Sequence, residues 1–430
     1  MSKKKNQLDI LFFIEHIDRE METAQEIIKV LKNTYNLKCI IASSIYHPVI
    51  SVLKYRPKII VTPSTAFGIG SPGWLFYNSF KEKPLFVNLN YEQFISSWKG
   101  KYKSAKHEVS LKKQIQFTWG DYFKNFLLET GTKKENVIIT GRPLFSLLKN
   151  KYYGKNFKEE IANSCNLDSN KNWNFIALTD GLAFVKEKKI LNIINSGANE
   201  KGLRAHVNHV KETIKEILHW VNSVSHISNE LFILRPHPSI SVFEYEKLIL
   251  KYLEKIPPNL ILTKEFTAQK WLISSERFFT NYSTLTMDAR VLEKEFYIFQ
   301  PLNKLESEDY WWCNNGINIS TINDFESLFI SKKHKLDKYE TKQDILDYID
   351  LSKDGISETI LNLLDIHKNY NDIPNFSFIL FLQALFNAPK RLFGSILRLI
   401  FINFKNDPFS IVKKGIKVDY FNINTINNDL

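Results

Sequence analysis

The sequence predicts an α/β chain of two successive Rossmann-like domains with a cleft between them, followed by an amphipathic helical tail. Three observations predict it. Short apolar runs alternate with helical segments as far as residue 299. A polar, irregular stretch at 151–171 divides them into two series. From Phe376 the character changes: 376–388 is almost wholly apolar and aromatic, and 392–404 is apolar again. Strands buried on both faces of a parallel sheet read as unbroken apolar runs, and parallel neighbours need a helical crossover between them.

In order, the first series predicts strands at 8–14, 38–42, 58–62, 84–88 and 137–140, with a helix at 21–31. The second predicts strands at 174–179, 231–235, 260–263, 277–280 and 296–299, with an amphipathic helix at 206–224. A chain of 430 residues exceeds one ordinary core. The expected division is an acceptor domain at 1–150, a nucleotide-sugar domain at 171–345, a returning helix at 346–373 and a tail at 374–430. The apolar run 376–388 is too short to span a bilayer. In the next segment Phe393, Ile396, Leu397, Ile400 and Phe404 share one helical face, beside Lys390, Arg391, Arg398 and Lys405. Those residues describe a helix lying on an anionic membrane surface. The plainer reading is a helix packed on its own core or against a second copy.

The chain carries 58 Lys and Arg against 46 Asp and Glu, a formal charge of +12. Such a surface favours anionic partners: phospholipid, acidic sugar or nucleic acid. There is no zinc-finger spacing and no aromatic-basic RNA signature, so nucleic acid is not an expected partner. Cys39, Cys165 and Cys313 are too few and too scattered for a disulfide framework or a cysteine zinc site, and suit a reducing compartment. The apolar stretch 10–14 is too short for a signal-peptide core. The expected location is therefore cytoplasmic, peripheral on the inner face of a bacterial inner membrane. No metal and no cofactor are expected.

Ligands of open α/β sheets sit at the carboxyl ends of strands, and four short elements fall there. In Leu178-Thr179-Asp180-Gly181, Asp180 can serve as base or nucleophile; the plainer reading is an Asp-Gly turn. In Arg235-Pro236-His237-Pro238, prolines brace an imidazole beside a guanidinium, a clamp for a phosphate or a proton donor to it. The plainer reading there is a capping histidine. The run 280–288 places Ser283, Thr284 and Thr286 before a helix at 289–292; capping explains one hydroxyl, not three. Gln300-Pro301 carries almost no signal alone. In the first domain Glu15, His16 and Arg19 follow the first strand, where they meet the acceptor or start a helix. Lys101 lies in a basic-aromatic loop, 98–103, suited to an anionic acceptor or simply solvated.

Other leads are weaker. His206 and His209 lie one helical turn apart, but without an acidic or cysteine companion they read as a solvated helix face. Gly68-Ile69-Gly70-Ser71-Pro72-Gly73 lacks a P-loop lysine and the dinucleotide spacing. Tyr310-Trp311-Trp312 serves a stacking platform or a hydrophobic anchor equally well.

These elements, in this order, resemble the GT-B bacterial surface-carbohydrate glycosyltransferases related to the capsule and lipopolysaccharide β-Kdo transferases. They are more distantly similar to polysialyltransferases. The resemblance runs from Leu8 to Pro301 and includes Phe117-Thr118-Trp119-Gly120 and 137–143. It implies that His237-Pro238 contacts a CMP phosphate, that Ser283-Thr284 holds the nucleotide, and that Gln300-Pro301 stands where capsule Kdo transferases carry the same pair. Of the family's acidic-acidic-Gly motif, Thr179-Asp180-Gly181 matches only the second half, which leaves Asp180 as the catalytic carboxylate. The implied activity is transfer of an acidic sugar, Kdo or a related nonulosonate, from a CMP-sugar to a glycan or lipid-linked acceptor. The alternatives are a CDP-glycerol-type polyol-phosphate transferase and a non-catalytic membrane-associated assembly protein.

Overall fold

A computed structural model describes residues 7–64, 68–93, 108–195, 197–237, 240–305, 310–314, 316–330, 348–401 and 423–428. The first half contains strand β1 (Gln7–Ile14), helix α1 (Glu22–Asn33), β2 (Cys39–Ser43), α2 (Pro48–Lys54), β3 (Arg56–Thr62), α3 (Pro72–Ser79), β4 (Leu85–Asn88), β5 (Ile115–Thr118), β6 (Val137–Ile139) and α4 (Pro143–Leu147). The second contains β7 (Trp173–Ile176), α5 (Glu200–Ser225), β8 (Leu231–Leu234), α6 (Val242–Tyr252), β9 (Leu260–Leu262), β10 (Arg277–Thr280), α7 (Leu285–Val291), β11 (Phe296–Phe299), β12 (Ile317–Ile319) and α8 (Ile322–Ile330). Helices α9 (Gly355–Asn369), α10 (Phe378–Asn387) and α11 (Pro389–Phe401) follow.

The strands form two six-stranded sheets, ordered β2-β1-β3-β4-β5-β6 and β12-β11-β10-β7-β8-β9. Every strand pair in both is parallel. The chain divides into two compact units, one of residues 1–94, 103–147 and 347–430, the other of 95–102 and 148–346.

In the first unit β1 is buried on both faces, which is why it reads as a continuous apolar run. Leu11 and Phe13 face one layer, packed with Val49 and Val52 of α2 and Leu75 and Phe76 of α3. Ile10, Phe12 and Ile14 face the other, packed with α1. That helix buries Ala24, Ile27, Ile28 and Leu31, the i, i+3, i+4, i+7 stripe of an amphipathic helix.

The C-terminal helices complete both layers. Ile360, Leu363 and Ile366 of α9 join the α1 layer; Phe381 and Ala384 of α10, Ala388 at the junction and Leu392 of α11 join the other. The segment expected to be a separate tail is thus bound to the first unit along its inner side. The single greasy face expected on α11 is also divided: Ile396 packs on the core while Phe393 is exposed. Phe404 and Lys405 lie outside the described residues.

Two strands escape the sequence pattern. β5 carries Gln116 in its middle and follows Gln114, so it lacks an apolar signature. These amides are buried in a network: the Asn88 and Asn90 amides donate to Gln116 at 2.9 and 3.1 Å, and Gln114 donates to Thr62 at 3.1 Å. β12 has three residues at a sheet edge, too few to register. The predicted strand 174–179 ends early, at Ile176. Beyond it Asn281 takes up the Thr179 amide at 2.8 Å and turns the chain out of the sheet.

Candidate functional site

Strands β8, β7, β10 and β11 are successive neighbours in the second sheet, aligned so that Ile176 pairs with Leu234 and Thr280 with Ile298. Their carboxyl ends therefore open on one edge, with adjacent strands about 4.8 Å apart. The four loops leaving that edge carry His237, Thr179 to Gly181, Ser283 with Thr284, and Gln300. A parallel sheet delivers residues distant in sequence to one rim in this way.

Backbone-directed hydrogen bonds fix the loops. The Asn281 carboxamide oxygen accepts from the Thr179 and Tyr282 amides, each at 2.8 Å. The Thr280 hydroxyl donates to the Ala177 carbonyl at 2.6 Å and accepts from the Ser283 amide at 3.2 Å. Together they tie the β7 loop to the β10 loop. The imidazole of His237 lies over Gly181: an added Cβ there would meet its Nδ1 at 3.7 Å. His237, Ser283, Thr284 and Gln300 are all half-buried and reachable from solvent.

Three predicted ligands are not reachable. Asp180 is wholly buried, at 0 % exposure. The Tyr245 hydroxyl of α6 and the His237 backbone lie beside its carboxyl, yet neither carboxyl oxygen is in a formed hydrogen bond. Burial pushes its pKa up to about 7, against smaller lowering contributions from Tyr245, the backbone and Lys264. In this position the Asp180 carboxyl is sealed from solvent, which runs against the expectation of a catalytic base or nucleophile. Arg235 is also buried; its guanidinium donates to the carbonyl of Phe266 at 3.0 Å and of Lys264 at 3.5 Å. It braces the loop after β9, where Phe266 adopts a φ of 57°, instead of clamping phosphate. The Thr286 hydroxyl is buried and donates to the Trp312 carbonyl at 2.6 Å and the Ser283 carbonyl at 3.1 Å. Pro238 lies outside the described residues.

Beside Gln300 a small pocket is lined by His209, Thr213, Tyr282, Lys304 and Tyr310. Its floor is aromatic: Tyr282 and Tyr310 stack at 4.6 Å with an 8° interplanar angle. The Trp312 indole donates to the Tyr282 carbonyl at 2.7 Å, and Trp311 and Trp312 are buried anchors. His206 is also buried, its ring 6.0 Å from that of Tyr282. The expectation of a solvated histidine face on this helix is therefore wrong. α5 presses that face onto the β10 loop because its stripe from Leu203 to Val224 is core. Among the described residues no group of three or more His, Cys, Asp or Glu is placed to hold a metal ion.

In the first unit Glu15 and His16 end β1 and lead into a single π-helical turn, Ile17–Met21. The Arg19 guanidinium pairs with buried Glu20 at 2.5 Å and with Glu92 at 2.7 Å. Glu20 accepts from the Glu15 amide at 2.6 Å. Burial raises the Glu15 carboxyl above its usual range, with His16 drawing it back. Arg19 is thus a brace for this turn. Lys101 and the rest of its loop lie outside the described residues.

No protein-family model matches the chain, and no curated protein matches it in sequence. Solved structures do match in shape. The UDP-GlcNAc 2-epimerase of Methanocaldococcus jannaschii, bound to UDP-GlcNAc and UDP, superposes with a TM-score of 0.51 at 14% identity, over 84% of this chain and 99% of that one. The wall teichoic acid polymerase TagF, in a variant soaked with CDPG, gives 0.50 at 12% identity, over 84% of this chain and 89% of that one. The chain has a GT-B-like fold. At such identities the likeness concerns the backbone plan, and the chemistry rests on the residues of the rim.

Of the residues that organise this rim, sequence reading overlooked two. Asn281 sat within a run read for its hydroxyls, though an Asn right after a buried strand is a loop-fixing signal. Tyr245 gives no local signal, because it meets Asp180 only through the tertiary packing of α6.

Proposed function

We propose that the chain is a transferase that takes an activated group from a cytidine nucleotide and passes it to a growing or lipid-linked surface glycan. The supporting observation is the half-buried set His237, Ser283, Thr284 and Gln300 on the carboxyl rim of four adjacent parallel strands. An imidazole over a glycine, on the same rim as hydroxyls, suits a departing phosphate: it donates a hydrogen bond, or a proton, as negative charge develops. The pocket beside Gln300, floored by Tyr282 and Tyr310, has a volume of only about 30 Å³, room for a water-sized group and not for a base, so the nucleotide is placed on the rim itself.

The preferred donor is a CMP-linked acidic sugar, Kdo or a related nonulosonate, and the preferred site of work is the inner face of the bacterial inner membrane. A second reading is transfer of polyol phosphate from CDP-glycerol, favoured by one feature: Thr179 stands where a first acid is expected, and Asp180 is sealed.

Both donors release CMP, so nucleotide release does not separate them; the label must ride on the transferred group. Wild-type protein should bind CMP in calorimetric titration, and His237→Ala should weaken binding by roughly tenfold or more, the cost of one charge-assisted hydrogen bond. Transfer of label from a CMP-sugar, with none from CDP-glycerol or UDP-GlcNAc, is the expected pattern. Full activity in the His237→Ala variant would end this reading.

A further inference from the structure

We propose that the outer surface of the α2, α3, α10 and α11 layer of the first unit is a seat for an anionic lipid surface. This supplies a place for the membrane location proposed above, and it does not depend on which donor is used.

Helix α10, Phe378–Asn387, contains no charged residue. Its inner stripe, Phe381 and Ala384, is core. Its outer stripe is apolar as well: Phe378, Ile379, Leu382 and Phe386 are 59%, 69%, 37% and 81% exposed. Gln383 and Asn387 are the polar residues exposed beside this stripe, so the outer side is mostly large apolar side chains, which belong against a partner or in lipid. The neighbouring helices extend the surface. Phe393 of α11 is exposed, and so are Ile50 and Leu53 of α2. These helices form one layer, since α10 packs on α3, α3 on α2 and α2 on α11. The exposed apolar side chains are therefore neighbours on a common layer and not single accidents of a surface.

Charge selects the occupant. Between residues 376 and 401 the sequence holds Lys390, Arg391 and Arg398 and no acidic residue. Apolar side chains with basic ones and no acids match the acyl boundary and headgroups of an anionic leaflet. A second copy on a twofold axis would oppose the same uncompensated basic segment to itself, which the charge disfavours. Spanning is excluded for α10 by length: ten residues rise about 15 Å, half of a ~30 Å hydrocarbon core. No helix of the described residues is long and apolar enough to cross a membrane. Contact is therefore peripheral.

The test is co-sedimentation of the full chain with vesicles of phosphatidylcholine alone and of phosphatidylcholine mixed with phosphatidylglycerol. The wild type should pellet with the mixed vesicles and largely release in high salt. The double variant Ile379→Ser, Phe386→Ser should lose binding by roughly tenfold or more, and so should Lys390→Glu, Arg391→Glu. Calorimetry with CMP on the same samples reads the second unit separately, so that failure of the nucleotide reading and failure of this one are distinct results. The substituted apolar positions are exposed, and an unchanged melting temperature shows that the fold is kept. The proposal is overturned by no binding to mixed vesicles, by equal binding to neutral ones, or by variants that bind like wild type. It is equally overturned by a solution dimer that the apolar variant dissociates while vesicle binding is unaffected.

Discussion

An ionised carboxylate without hydrogen-bond partners is costly to bury, so Asp180 takes up a proton at a pH where exposed aspartates have long lost theirs. The sign of the consequence is fixed. With a folded pKa of about 7 against an ordinary 3.8, the folded chain holds this proton longer than the unfolded one. Stability from this group is full below pH 3.8, falls as pH rises through that window and levels off above about 7. The whole span corresponds to roughly 4 kcal/mol. Asp180→Asn has no proton to lose. Its stability relative to wild type, from urea titrations, should improve by about 3 kcal/mol between about pH 4.5 and pH 8. A pH-independent difference would show that Asp180 is solvated and return it to candidacy as a catalytic base. Arg235 invites a companion test. Its two carbonyl contacts both come from Nη2, so Arg235→Ala, which leaves both carbonyls without that donor, should cost about 2 kcal/mol of stability yet leave CMP affinity within about twofold. A selective loss of CMP affinity would restore Arg235 as a phosphate ligand. From sequence, Asp180 and Arg235 looked like chemistry because motif spacing places a residue on a loop without saying whether its side chain turns out or in. His237, Ser283 and Gln300 are half-buried where Asp180 and Arg235 are sealed; only packing decides that.

At the scale of elements, apolar period was legible where a strand or helix is buried against one partner type. β1, β3, β8, β10 and β11 announced themselves because both faces of each are core. β5 did not, because its glutamines satisfy one another through partners on two other strands. The docking of α9 was equally invisible, since it depends on one glycine. A Cβ at Gly355 would stand 2.4 Å from the Arg142 carbonyl carbon and 2.5 Å from the Pro143 nitrogen, both backbone atoms that cannot give way. Gly355→Ala should therefore lift the first turn of α9 off α4 and cost about 2–4 kcal/mol, more than any helix-propensity gain returns. The control is Leu361→Ala on the exposed side of the same helix, 57% exposed and expected to change stability by less than about 0.5 kcal/mol. Equal melting temperatures for the Gly355 and Leu361 variants would mean that the helix docks loosely.

On the scale of the whole molecule, two βα series and a polar divide were enough to read two Rossmann-like units. That the first unit closes only with the end of the chain was not, because nothing local in 355–401 names the sheet it covers. The consequence is measurable. Truncation after residue 346 would remove Ile360, Leu363 and Ile366 from one face of the first sheet and Phe381 and Leu392 from the other. Five such side chains at roughly 2 kcal/mol each amount to about 10 kcal/mol of burial. A domain's net stability is only about 5–15 kcal/mol. The first unit should then fail to fold and should aggregate through two uncovered sheet faces. The second unit is made of residues 95–102 and 148–346. Residues 148–346 expressed alone should fold cooperatively and bind CMP with the affinity of the full chain. Far-ultraviolet circular dichroism and calorimetry on the two fragments decide the matter. A soluble, cooperatively melting 1–346 fragment with native helix content in its first unit would show that the C-terminal helices decorate that sheet and do not complete it.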